Sequence, residues 1–91
     1  MLIMENRTTD GFSDEIVNFG GIVQIQVSGT FDGATATMQI SQDGLPFLTL
    51  DETPAIFTAP DVVVFTLLKG LKYRLSVTNS GGSTDLSASA I

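Results

Sequence analysis

Ninety-one residues suffice for one small domain, because a chain of this size buries roughly 63% of its unfolded surface and leaves too little for a second core. With no cysteine and no histidine, neither a disulfide framework nor a zinc site can brace it, so self-association is the expected support, and a cysteine-free chain suits a reducing cytoplasm. Four basic residues against ten acidic ones leave a net charge of -6, and Arg7, Lys69, Lys72 and Arg74 make no broad patch, which argues against nucleic acid as a partner.

The chain opens on Met1-Leu2-Ile3-Met4, apolar but far too short for a signal-peptide core and with no basic run before it. Residues 1–14 then carry turn formers at Asn6, Asp10, Gly11 and Ser13 and no sustained period, which predicts an N-terminal arm ahead of a domain spanning 15–91. Ile16 to Phe19 predicts a short strand closed by Gly20-Gly21. From Ile22 to Val27, the apolar residues Val23, Ile25 and Val27 alternate with Gln24 and Gln26, the period of a strand with one face on a core. Ala34 to Ser41 repeats the device, with Ala34, Ala36, Met38 and Ile40 inward. Asp43-Gly44, set between two extended runs, signals a hairpin. Its second strand is predicted over Pro46 to Leu50, with Pro46 at the start because it cannot donate a ladder hydrogen bond.

Thr53-Pro54 turns the chain, Ala55 to Thr58 is another short extended piece, and Ala59-Pro60-Asp61 turns it again. Val62 to Leu68 is almost continuously apolar, which predicts a strand hidden on both faces. Beyond Lys69-Gly70, the apolar Leu71, Tyr73, Leu75 and Val77 alternate with Lys72, Arg74, Ser76 and Thr78. Asn79 to Ser83 reads as a turn, and a last strand covers Thr84 to Ile91 with Leu86, Ala88 and Ala90 inward. No apolar stretch reaches membrane-spanning length, so no membrane partner is expected. About seven or eight short antiparallel strands with no amphipathic helix predict an all-β fold, a small β-sandwich.

The run Leu67-Leu68-Lys69-Gly70-Leu71-Lys72-Tyr73-Arg74-Leu75-Ser76-Val77 resembles the tyrosine-corner segment of fibronectin type III and related immunoglobulin-like domains. That resemblance implies an Ig-like sandwich in which Leu67 and Gly70 shape the corner, while Tyr73 sends its ring inward and its hydroxyl to the corner's backbone. The tryptophan and the disulfide of true immunoglobulin domains are absent. A longer run is similar to a motif of small bacteriophage virion proteins. In it Gly29-Thr30-Phe31-Asp32-Gly33-Ala34-Thr35 opens a strand that closes in Ser41-Gln42-Asp43-Gly44, with Phe47 where the family commonly has Trp. Tyr73-Arg74-Leu75 and Ser80-Gly81-Gly82 match the family's closing pattern. This second resemblance implies a non-enzymatic virion structural protein, made in the host cytoplasm, most simply a capsid decoration or cement subunit. Its partners would be the major capsid protein or other virion proteins and further copies of itself. The alternative is a neck, tail or fibre component, including a host-surface carbohydrate-binding module.

Chemistry offers little competition. Without His or Cys a nucleophile would have to be Ser or Thr, and neither a Gly-x-Ser-x-Gly turn nor a Ser-x-x-Lys spacing occurs, so no enzyme and no cofactor are expected. The paired acids Asp14-Glu15 and Asp51-Glu52 split to opposite faces of an extended chain and sit in no calcium-loop pattern, which predicts solvated carboxylates and no metal. Gly29 and Gly33 flank Phe31 without the helix and lysine that a phosphate cradle uses, so a tight inter-strand bend is expected. Most of the six phenylalanines should be core. Phe12 and Phe31, in loop-like contexts, join Leu2, Ile3 and Met4 of the arm as the residues expected to contact other subunits. The apolar run Val62 to Leu68 is a further hazard unless something covers it.

Overall fold

Alternating apolar and polar side chains with no helical period leave the backbone one way to satisfy its N–H and C=O groups, the lateral pairing of strands. The computed structural model, which describes residues 1–50 and 55–91, pairs ten of them. They are β1 (Leu2–Arg7), β2 (Gly11–Phe12), β3 (Ile16–Val17), β4 (Ile22–Thr30), β5 (Thr35–Ser41), β6 (Leu48–Thr49), β7 (Ile56–Phe57), β8 (Asp61–Thr66), β9 (Lys72–Thr78) and β10 (Asp85–Ala90). The expectations for Asp51-Glu52 and Thr53-Pro54 lie outside the described residues.

Two antiparallel sheets result. The first has the order β1-β10-β4-β8; in the second, β9 and β5 form the centre, with β2 and β3 on the free side of β9 and β6 and β7 on that of β5. The core between them is filled by the predicted alternation: Val23, Ile25 and Val27 of β4, Ala36 and Met38 of β5, Tyr73, Leu75 and Val77 of β9, and Leu86, Ala88 and Ala90 of β10 are all buried. The predicted all-β sandwich is therefore the fold. The pairings β4–β8 and β5–β9 have the sense of the B–E and C–F pairs of an immunoglobulin-like sandwich. The last strand departs from that order: β10 leaves β9 at the Asn79–Thr84 connection and inserts between β4 and β1.

The hairpin signal is realised in detail. Asp43 (φ 54°) and Gly44 (φ 75°) both take the left-handed conformation, and the Leu45 N–H donates to Gln42 O at 3.0 Å, the geometry of a type I′ turn. The bend expected at Gly29 and Gly33 is confined to Phe31–Ala34, where the Ala34 N–H donates to Phe31 O at 2.9 Å, while Gly29 stays within β4 opposite Leu86.

Two expectations are overturned. Residues 1–14 are not an arm: β1 pairs antiparallel with β10, and Ile3 and Met4 lie in the core. The register shifts between Leu2 and Met4, so one extra residue stands on the β1 side and two consecutive side chains, Ile3 and Met4, turn inward. That bulge erases the period-two signature, which is why the segment reads as irregular. The radius of gyration, 12.2 Å, matches the roughly 12 Å expected of a compact chain of this length, so no described segment trails away. Nor is Val62 to Leu68 hidden on both faces. Strand β8 is the outer strand of the first sheet, with Phe65, and Leu67 just beyond it, buried and Val62 and Val64 exposed. Three adjacent valines conceal an ordinary alternation, because composition alone does not show which of them faces water.

Candidate functional site

Of the residues expected to make contacts, the structure withdraws three. Ile3, Met4 and Phe31 are core residues, and Phe31 is further fixed where its carbonyl accepts from Thr84 Oγ1 at 2.8 Å. Leu2 and Phe12 remain exposed, and both border an open cleft of about 290 Å³ between β1 and the segment from Phe12 to Asp14.

The corner around Leu67, Gly70 and Tyr73 exists with a different fastening. Tyr73 is buried and burial raises its phenol above the ordinary value, but among the described residues its hydroxyl bonds to no backbone group. Asn18 does that work instead. Its buried side-chain amide donates to Leu67 O at 3.1 Å and Leu68 O at 3.3 Å, its backbone carbonyl accepts from the Gly70 N–H at 2.7 Å, and its own N–H donates to Leu71 O at 2.8 Å. No sequence period marks a polar side chain that turns inward to cap a loop, so this residue escaped the sequence reading.

The two outer faces differ in chemistry. On the second sheet, Arg74 stands at the centre: its guanidinium carbon lies 3.8 Å from the centroid of the Phe12 ring and 4.1 Å from that of Phe47. Its Nε donates to Gln39 Oε1 at 2.9 Å, and Glu15 approaches at 3.8 Å. The stack ties the short strand β2 and the hairpin end at Phe47 across the sheet, so Phe12 is a partner of Arg74 before it can be a partner of anything else. Glu15 is an ion-pair group, and its neighbour Asp14 is exposed.

The outer face of the first sheet carries no such cation. Strand registers place Val62, Gln26, Ser89 and Leu2 in one row and Val64, Gln24 and Ile91 in the next, with Ile22 beside Thr66 beyond them. Leu2, Ile22, Val62, Val64 and Ile91 are all exposed, and none of these positions is charged. At the same end, Phe19 and Leu68 are about three-quarters exposed, at 76% and 75%. A chain of net charge -6 thus keeps an uncharged, partly apolar patch at this end of the sheet, with the exposed Glu5 of β1 and Asp85 of β10 outside it. Asp10, between β1 and β2, accepts the Ser80 N–H at 2.9 Å, a bond that lowers its pKa.

Among the described residues no three acidic side chains converge as a metal site would require. The arrangement can bury apolar surface and pair strand edges. No family model, no curated protein and no solved structure matches this chain.

Proposed function

We propose that this chain is a non-enzymatic structural protein of a bacteriophage particle, acting as a capsid decoration or cement subunit. The observation that carries the proposal is the uncharged, partly apolar patch of the first sheet around Gln24 and Gln26 on an otherwise acidic protein, taken together with the virion-type run from Gly29 to Gly44. A subunit that binds only the assembled shell stabilises that state by mass action, and an apolar face is what such binding consumes. The alternative of a carbohydrate module has little support here. Of the rings that reach solvent, Phe12 and Phe47 each have one face taken by Arg74, which leaves Phe19 without a second open ring to form a stacking platform.

The test is occupancy of purified protein on shells stripped of it. A Gln26→Lys variant places a charge in the middle of the uncharged patch, and Thr37→Lys places the same charge on the opposite sheet. Loss of occupancy in the first and retention in the second is expected. Absence of the parent protein from shells, or equal binding by both variants, sinks the proposal, and a glycan-array hit would favour the alternative.

A further inference from the structure

We infer that β8 is a dimerisation edge, pairing antiparallel with β8 of a second copy of this chain across a twofold axis at Val64. The inference is independent of any role in a virion. It begins from which backbone groups are free. The Leu67 N–H donates to Gly21 O at 2.6 Å, and that pair lies in the same register as the β4–β8 ladder. Antiparallel strands exchange hydrogen bonds at alternate residues, so Asp61, Val63, Phe65 and Leu67 spend their backbone groups on β4. Val62, Val64 and Thr66 direct theirs to the open side. The Val62 N–H confirms the assignment, since it turns to Asp61 Oδ1 at 2.7 Å.

The other edges are managed. On the second sheet, two-residue strands break up each border, and β1 carries two register shifts together with Glu5 and Arg7. Strand β8 runs six residues without a bulge and without a charge after Asp61, and its exposed side chains include Val62 and Val64. No described residue covers it.

The occupant follows from symmetry and charge. An isologous contact must be self-complementary, and antiparallel strand edges are. One register engages all three free residues of each copy: Val64 opposite Val64, with Val62 opposite Thr66 of the second copy. That register sets the Asp61 end of each strand toward the Lys69 end of the other, an opposite-charge match made twice. Asp61 then exchanges its local bond to Val62 for this cation. The axis itself meets only valine, so two chains of charge -6 approach along a neutral line.

The test uses the full chain, which has no native cysteine. Sedimentation should show a dimer fraction that rises with concentration. In the proposed register the two Val64 Cα atoms are about 5.5 Å apart, within disulfide range, whereas the two Val62 positions are about 14 Å apart. Mild oxidation should therefore link the Val64→Cys variant rapidly and the Val62→Cys variant slowly. Val64→Pro, which removes a donor facing away from β4, should weaken the dimer at least about tenfold while the monomer still melts cooperatively. A parent chain that stays monomeric through the micromolar range overturns the inference. So do equal linking rates at the two positions, or faster linking at Val62. If Val64→Pro fails to fold, the cysteine pair still decides.

Discussion

At the scale of single residues, Asn18 takes the corner role that the sequence assigns to Tyr73. The tyrosine corner is a device for satisfying backbone groups at a strand entry. Here a buried asparagine satisfies them with two donated bonds and leaves Tyr73 as a packed ring. Asn18→Ala would strand Leu67 O and Leu68 O beside an empty space, costing about 2 kcal/mol, whereas Tyr73→Phe should cost well under about 1 kcal/mol. Urea unfolding of the two variants checks the order, and a larger loss from Tyr73→Phe would restore the tyrosine to the corner.

Tyr73 also gives a pH prediction with a definite sign. Burial raises its pKa above the ordinary 10.0, so the folded state holds the proton more tightly than the unfolded chain. The corresponding stability is complete below about pH 10 and is lost as pH rises from there through the folded value. As the chain has one tyrosine, its phenolate absorbance reports this group alone. The folded protein should titrate above the urea-unfolded chain, and the alkaline fall in stability should become shallower in Tyr73→Phe.

Among the elements, the strands with clean alternation were legible. β4, β5, β9 and β10 bury the side chains that the period-two pattern assigns inward, apart from Ile40, which is half-buried near the hairpin end. The failures share a cause: a local departure from strict alternation. At β1 a bulge turns Ile3 and Met4 inward together, and at β8 consecutive valines mask which face is wet. The outer-face stack was legible only as parts, because Phe12, Phe47 and Arg74 meet through register and loop placement that no spacing encodes. Arg74→Ala should cost about 1 kcal/mol by releasing both rings, and Arg74→Lys should recover little of it, since an ammonium lacks the flat guanidinium that lies between them. Thermal melts of the two variants decide between this stack and a plain charge effect, for which lysine would suffice.

For the molecule as a whole, the decisive feature is that β1 belongs to the sandwich. The chain around it is fastened on two sides: Met1 O, just before β1, accepts the Ala90 N–H of β10 at 2.9 Å, and Ile3 O accepts the Asp14 N–H at 2.8 Å from the segment between β2 and β3. The strand thus closes one side of the structure while burying Ile3 and Met4. Full burial of two such side chains contributes about 3–6 kcal/mol, comparable to the whole net stability of about 5–15 kcal/mol that a domain possesses. Deleting residues 1–7 should consequently abolish cooperative unfolding and leave a chain that binds hydrophobic dyes. Leu2→Lys changes only the exposed side chain of the same strand and should shift stability by no more than about 0.5 kcal/mol. If the truncated chain instead melted sharply near the parent's midpoint, β1 would be a docked appendage, and its contacts would be free for a neighbouring subunit.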